Sequence, residues 1–246
     1  TTYTVTVSDG SGCIDTDQIT ITVDPLPNVD AGADQSICSG GSVSLGGAPT
    51  STTVGATYAW DNAASLDDAT SANPTATPTV TTTYTVTVSH PNGCTASDQI
   101  TITVDPLPVV DAGADQAICI GGNTTLGGAP TGPAGSTYAW DNAGSLDDAT
   151  IANPTATPAV TTTYTVTVTD GNGCSNTDQI TITVNPLPTV DAGVDQTICE
   201  GENATLGGSP TGPAGATYAW DNAGSLDDAT LANPTATPTV TTTYTV

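Results

Sequence analysis

The sequence predicts an all-β protein built from tandem Ig-like antiparallel β-sandwich repeats of about 80 residues. Three observations predict it. Tyr3, Tyr84, Tyr164 and Tyr244 recur in a Thr-Thr-Tyr-Thr-Val context at spacings of 81, 80 and 80 residues, and Trp60, Trp140 and Trp220 recur in Tyr-Ala-Trp-Asp-Asn at a spacing of 80. Thr alternates with Val, Ile and Tyr over short runs, the period of a half-buried strand. Turn residues interrupt these runs about every ten positions, and no stretch shows a helical period. A period near 80 is too long for a solenoid unit and fits a small autonomous sandwich. A unit of that size buries only about 60% of its surface, so neighbours, disulfides or ions add needed stability.

The elements follow in order. Tyr84-Thr85-Val86-Thr87-Val88 and Ile100-Thr101-Ile102-Thr103-Val104 each alternate apolar side chains with Thr. Between them His90-Pro91-Asn92-Gly93 marks a hairpin, repeated as Asp9-Gly10-Ser11-Gly12 and Asp170-Gly171-Asn172-Gly173. A third strand carries Tyr58 and Trp60, and a fourth carries Val43 and Leu45 before Gly46-Gly47. The tryptophans Trp60, Trp140 and Trp220 are the expected core anchors. Tyr84, Tyr164 and Tyr244, early in the penultimate strand, are expected to act as tyrosine corners.

Boundaries are expected at Asp24-Pro25-Leu26-Pro27, Asp105-Pro106-Leu107-Pro108 and Asn185-Pro186-Leu187-Pro188, since paired prolines favour short, extended, stiff connectors. This divides the chain into 1–26, the last strands of one repeat; 27–107 and 108–187, two whole repeats; and 188–246, the first part of another. Residues 131–166 and 211–246 differ at only three positions, Ser136/Ala216, Ile151/Leu231 and Ala159/Thr239, as after recent duplication. Both ends lie inside the same strand pattern, so we expect a window on a longer repetitive chain.

Composition narrows the function. The chain has no Lys or Arg, 25 acidic residues, one histidine (His90) and a formal charge of −25. Such a surface repels nucleic acid and anionic membranes and collects cations. No run approaches the roughly 18 apolar residues of a membrane span, so direct membrane insertion is not expected. Disorder is not expected either, because charge is diluted to 10% of residues among regularly spaced Val, Ile, Leu, Tyr and Trp. Without a cation to bind phosphate or an oxyanion, with a single histidine and with no P-loop, the chain lacks the parts of an enzyme. The pair Asp67–Asp68 could serve a glycosidase in principle, but it recurs as Asp147–Asp148 and Asp227–Asp228 in every repeat, which suits a structural role.

The strings VDAGADQSIC, YAWDNA, ANPTATPTVTTTYTVTV and NGC…DQITITV, in this order, resemble the PKD-like, Ig-like repeats of large surface proteins of Bacteroidetes. These include flavobacterial adhesins exported by type IX secretion, some of them serving gliding motility. The resemblance spans the chain. It implies an extracellular stalk that spaces a binding tip from the cell. PKD domains often carry WDFGDG; here the residues are Trp140-Asp141-Asn142-Ala143-Gly144, so ligand binding does not carry over.

The six cysteines form two classes, Cys13, Cys94 and Cys174 in the last hairpin and Cys38, Cys119 and Cys199 after the first strand. An even, periodic set in a secreted chain reads as disulfides, and zinc is disfavoured without C-x-x-C or a second histidine. One pairing stays within repeats, Cys38–Cys94 and Cys119–Cys174. In an Ig-like topology the two classes lie towards opposite ends, and bonded Cα atoms must come within about 7 Å. End-to-end stacking therefore gives the other pairing, Cys38–Cys174, with the remaining four bonding beyond the window.

Three acidic clusters are candidate Ca²⁺ ligands: Asp170, Asn172 and Asp178; Asp141, Asn142, Asp147 and Asp148; and Asp111 with Asp115. Ca²⁺ takes six to eight hard oxygen ligands, and −25 charges need screening. The competing role is turn termination. The expected function is a structural or adhesive stalk. The alternatives are a homopolymeric fibre whose copies complete each other by strand exchange, and a module that binds surface glycans or a partner. Asn123-Thr124-Thr125 and Asn203-Ala204-Thr205 match the glycosylation pattern but carry little weight in a bacterial chain.

Overall fold

The computed structural model describes residues 1–246. Strands β1 (Thr2–Ser8) and β2 (Ile14–Thr20) form an N-terminal hairpin. A first unit follows, with β3 (Gln35–Cys38), β4 (Val43–Ser44), β5 (Thr57–Trp60), β6 (Thr75–Ala76), β7 (Thr82–Ser89) and β8 (Thr95–Asp105). A second repeats it with β9 (Gln116–Cys119), β10 (Thr124–Thr125), β11 (Thr137–Trp140), β12 (Thr155–Ala156), β13 (Thr162–Thr169) and β14 (Ser175–Asn185). Near the C-terminus only β15 (Ala204–Thr205) and β16 (Thr235–Ala236) pair. One-turn 3₁₀ helices occupy Ala63–Ser65, Ala143–Ser145 and Ala223–Ser225.

Each of the two units is a β-sandwich. A four-stranded sheet, β5-β7-β8-β3 or β11-β13-β14-β9, packs on a two-stranded one, β4-β6 or β10-β12. The alternation read from the sequence sets the core. In β13, Tyr164, Val166 and Val168 are fully buried while the intervening threonines face outward. They meet Ile180 and Ile182 of β14, Leu126, Ala156 and Trp140. Burying one such large side chain contributes about 1.5–3 kcal/mol.

The expected sandwich is present, and each unit adds one parallel edge to its otherwise antiparallel sheet. β3 runs parallel to β8, pairing Gln35 with Ile102 and Cys38 with Asp105, and β9 runs parallel to β14 in the same way. The cause is the path of the chain. The segment leaving each Pro-Leu-Pro linker lies alongside the last strand of its own unit and travels in the same direction. Entry and exit therefore fall at opposite ends of the sandwich.

Polar groups fix the turns. Trp140 Nε1–H donates to the Ile151 carbonyl at 3.1 Å. Tyr164 Oη and Ser145 Oγ share a hydrogen bond of 2.7 Å, so the partner of the corner tyrosine is a side chain in the 3₁₀ turn rather than an upstream backbone group. Asn142, which starts that turn at φ 51°, donates through Nδ2 to the Thr163 carbonyl at 2.9 Å. Gly127 has φ +92° and lies against Thr131 and Asn153, where a Cβ would collide with both side chains. The space is needed because Asn153 Nδ2 donates to the carbonyls of Leu126 and Gly128, at 3.0 and 3.1 Å.

Candidate functional site

The region that distinguishes this chain from a set of separate sandwiches is the joint between its two units. Cys38 ends β3 beside Asp105, the residue before Pro106-Leu107-Pro108. Cys174 closes the β13–β14 turn, where the Asp170 amide donates to its carbonyl at 3.0 Å. That turn sits against the same linker, since Asn176 Nδ2 donates to the Pro108 carbonyl at 3.0 Å. Cys38 and Cys174 are bonded, with Cα atoms 5.5 Å apart and a separation of 136 positions in sequence. The structure thus links the exit end of one unit to the entry end of the next. The within-repeat pairings Cys38–Cys94 and Cys119–Cys174 are not formed, because the two classes lie at opposite ends of each sandwich. Cys13, Cys94, Cys119 and Cys199 are free thiols.

The first segment of each unit is held to the last strand by carboxylates before β-pairing begins. Asp178 Oδ2 accepts from the Ala112 amide at 2.8 Å, and Asp115 Oδ1 accepts from the Thr181 amide at 2.8 Å. In the first unit Asp98 and Asp34 do the same for Ala31 and Thr101, at 2.8 Å each. This use of Asp98 and Asp178 escaped the sequence reading, although a signal exists. Asn176, Asp178, Ile180 and Ile182 share one parity of the strand, so two polar side chains fall in phase with the core and need backbone partners there.

The calcium candidates take part in hydrogen bonds to backbone. No group of three or more His, Cys, Asp or Glu side chains is placed to hold a metal ion. Each carboxylate is instead turned back on nearby backbone. Asp170 Oδ1 accepts from the amides of Asn172 and Cys174, at 2.9 Å each, while Asp178 is engaged with Ala112. Asp141 Oδ1 accepts from the Thr165 amide at 2.7 Å. Asp147 Oδ1 accepts from the amides of Asp148 and Thr155, and Asp148 Oδ1 from the amide and hydroxyl of Thr150. The backbone N–H of Thr155 holds the Asp147 carboxyl below the usual carboxylate value, and the Thr150 hydroxyl does so for Asp148. Asp67, Asp68, Asp227 and Asp228 behave alike, and in the first hairpin the Cys13 amide lowers Asp9. These are carboxylates committed to turns.

Of the core candidates, Trp60, Trp140 and Trp220 are each 5% exposed and Tyr84 and Tyr164 fully buried, whereas Tyr244 is half-buried. None lies on an exposed aromatic platform of the kind that stacks sugars.

No protein-family model matches the chain, and no curated relative matches it. Solved structures show coarse likeness. A three-Ig fragment of titin is 13% identical with a TM-score of 0.36, covering 88% of both chains. A PKD domain is 23% identical at a TM-score of 0.27, covering 35% of this chain and 91% of its own. A SusE-like, surface located polysaccharide binding protein from the Bacteroides thetaiotaomicron heparin utilisation locus is 11% identical at a TM-score of 0.38, covering 89% and 51%. At these scores the likenesses carry no inference about function.

Proposed function

We propose that this chain is a spacer, a stretch of extracellular stalk that holds an adhesive or binding element away from a cell surface. The observation that carries the reading is the joint. Parallel first and last strands put entry and exit at opposite ends of each sandwich, and the Cys38–Cys174 bond spans the linker between units. Successive repeats then extend rather than fold back. An 11-residue last strand such as β14 spans about 36 Å, and a three-residue linker adds about 10 Å, so each repeat advances the chain by about 45 Å. A disulfide belongs to an oxidising compartment, which fits an extracellular position and the resemblance to Bacteroidetes surface repeats. The partners of such a segment are other repeats of the same kind, with surface glycans left to whatever the stalk carries.

Small-angle scattering tests this directly. A compact 246-residue domain has a radius of gyration of about 18 Å. The oxidised chain, measured at a concentration where it is monomeric, should exceed that value at least about 1.5-fold, and Cys38→Ser should broaden the distribution of interunit distances. A compact particle, or a joint unaffected by Cys38→Ser, would sink the spacer reading.

A further inference from the structure

The two units are joined twice, once by backbone and once by sulfur. β8 ends at Asp105, and Pro106 follows it. A cut between these residues gives the pieces 1–105 and 106–246. Cys38 belongs to the first piece and Cys174 to the second, so their disulfide spans the cut. The backbone and this disulfide are the only covalent paths between the units, since the other four cysteines are free.

The residues at that bond are those that let a peptide cut itself. An aspartyl carboxyl oxygen that attacks its own backbone carbonyl closes a five-membered ring, so the attack is intramolecular. Pro106 has no N–H and presents a tertiary amide nitrogen as the leaving group. The Asp105 carbonyl accepts from the Ser39 amide at 2.8 Å, a fixed donor at the oxygen where charge develops during attack. The Asp105 carboxyl is uncommitted. Asp98, Asp141 and Asp147 accept backbone amides, and Asp105 accepts none. Pro106 is exposed, so water reaches the bond.

The other two linkers are natural comparisons. Asn185 holds the place of Asp105 in the second unit, and its carbonyl accepts from the Ile120 amide at 2.8 Å. That linker has the geometry without the carboxyl. Asp24–Pro25 has the carboxyl, but no disulfide spans it, because Cys13 is free. Acid does not load the joint with like charges. With no Lys or Arg, protonating the carboxyls leaves only His90 and the N-terminal amine charged. Two titratable side chains are brought to Asp105 by the other elements of the joint. Cys38, opposite on β3, is locked in the disulfide, and Asp170, in the turn that carries Cys174, already accepts the Asn172 and Cys174 amides.

We propose that Asp105–Pro106 is a self-cleavage site opened by acid, and that Cys38–Cys174 keeps the cut units joined until a reductant arrives. A carboxyl oxygen of Asp105 bonds to the Asp105 carbonyl carbon as the bond from that carbon to the Pro106 nitrogen breaks. The carboxyl proton passes to the nitrogen, which leaves as a secondary amine. Acid adds a second proton to the amine and prevents its return. The other product is a cyclic anhydride, which water opens to the side-chain carboxyl and a new C-terminal carboxyl. Nothing is oxidised or reduced in this step. Release is separate: two thiols of a reductant such as glutathione become one disulfide as Cys38 and Cys174 each regain a hydrogen. The joint therefore parts only where both conditions meet. This goes beyond spacing, and the spacer reading stands whichever way the test falls.

The test holds the oxidised 246-residue chain at about pH 2.5 and about pH 7, and follows intact mass with and without thiol reductant. In acid the joint should gain the mass of one water without parting, and reduction should then divide it into 1–105 and 106–246. Cutting should be at least about 10-fold faster than at neutral pH. The Asp24–Pro25 bond, cut by the same chemistry, should shed residues 1–24 with no reductant. Asp105→Asn, which copies Asn185, should keep the Cys38–Cys174 linkage and lose the cut. Cys38→Ser should be cut and fall apart without reductant. Four results would overturn the proposal: a joint still whole after acid and reduction, a cut that survives in Asp105→Asn, a cut as fast at neutral pH, or pieces that leave the oxidised parent unreduced.

Discussion

Residues 131–166 and 211–246 are almost the same sequence and are not the same structure. In the first stretch Thr137–Trp140 is a strand paired to β13, and Tyr164 is fully buried. In the second, 217–220 forms no strand, and Tyr244 is half-buried at the rim of a cleft. The Trp-to-backbone and Tyr-to-Ser hydrogen bonds are nevertheless identical, 3.1 and 2.7 Å in both. Local sequence therefore fixes the 3₁₀ turn, its left-handed Asn and the Trp seat. The large sheet depends on β14, which is distant in sequence from β9 and covers the core. The N-terminal hairpin makes the same point from the other side, for it keeps its pairing while exposing the face that β13–β14 bury.

Supplying the missing element should break this difference by the largest margin. In a chain carrying a copy of residues 167–187 after Val246, the amides of residues 218–220 should exchange more slowly, on the order of 100-fold. No gain of protection would mean that something other than the absent last strand keeps this region open. Next in size, Tyr164→Ala should cost about 3–5 kcal/mol in denaturant unfolding of the reduced, dilute chain, while Tyr3→Ala should stay within about 0.5 kcal/mol. Comparable losses at the two positions would show that the exposed hairpin is packed after all.

A smaller effect has the opposite sign. Ser136 Oγ is buried without a hydrogen-bond partner, and the other two repeats carry Ala56 and Ala216 at this place. Ser136→Ala should therefore stabilise its unit by about 1 kcal/mol, seen as a higher denaturant midpoint. Smallest is the response to acid. Asp9, Asp67, Asp68, Asp147, Asp148, Asp227 and Asp228 are all held below the ordinary value of 3.8. Their contribution is complete above that value and is lost as pH falls through the lowered native values. The thermal midpoint should fall slightly below about pH 4, and less in Asp147→Asn, whose amide no longer titrates. A midpoint that rises monotonically on acidification would show that relief of repulsion among the acidic groups outweighs these turns.

Much of the fold was legible because alternation of Thr with Val, Ile and Tyr has a single physical reading. Tyr84, Val86, Val88, Ile100 and Ile102 line one face as their parity requires. The parallel edge was not legible. The segment 29–35 carries only small apolar side chains after Val29, with Ala31 buried in the core, and Asp34 and Asp98 tie it to the last strand by side-chain-to-backbone bonds that no alternation announces. The joint was half legible. Cysteine spacing gave two classes and two pairings, and only the placement of the classes at opposite ends separates them. The acidic clusters were legible as clusters, but Asp beside Asn and Gly serves a cation and a turn equally well in sequence. Which it serves depends on where the neighbouring N–H groups point.

The Cys38–Cys174 bond has one more consequence, for a chain under tension. Load arriving at Cys38 passes through sulfur to Cys174 and bypasses the backbone between them. That span would otherwise lengthen by about 470 Å, taken as 136 residues at about 3.5 Å each. A single molecule stretched between residues 27 and 187 should yield nearly all of that length in reductant and almost none without it. The stapled pair of repeats is in effect inextensible: it transmits a pull even when both of its sandwiches have come apart.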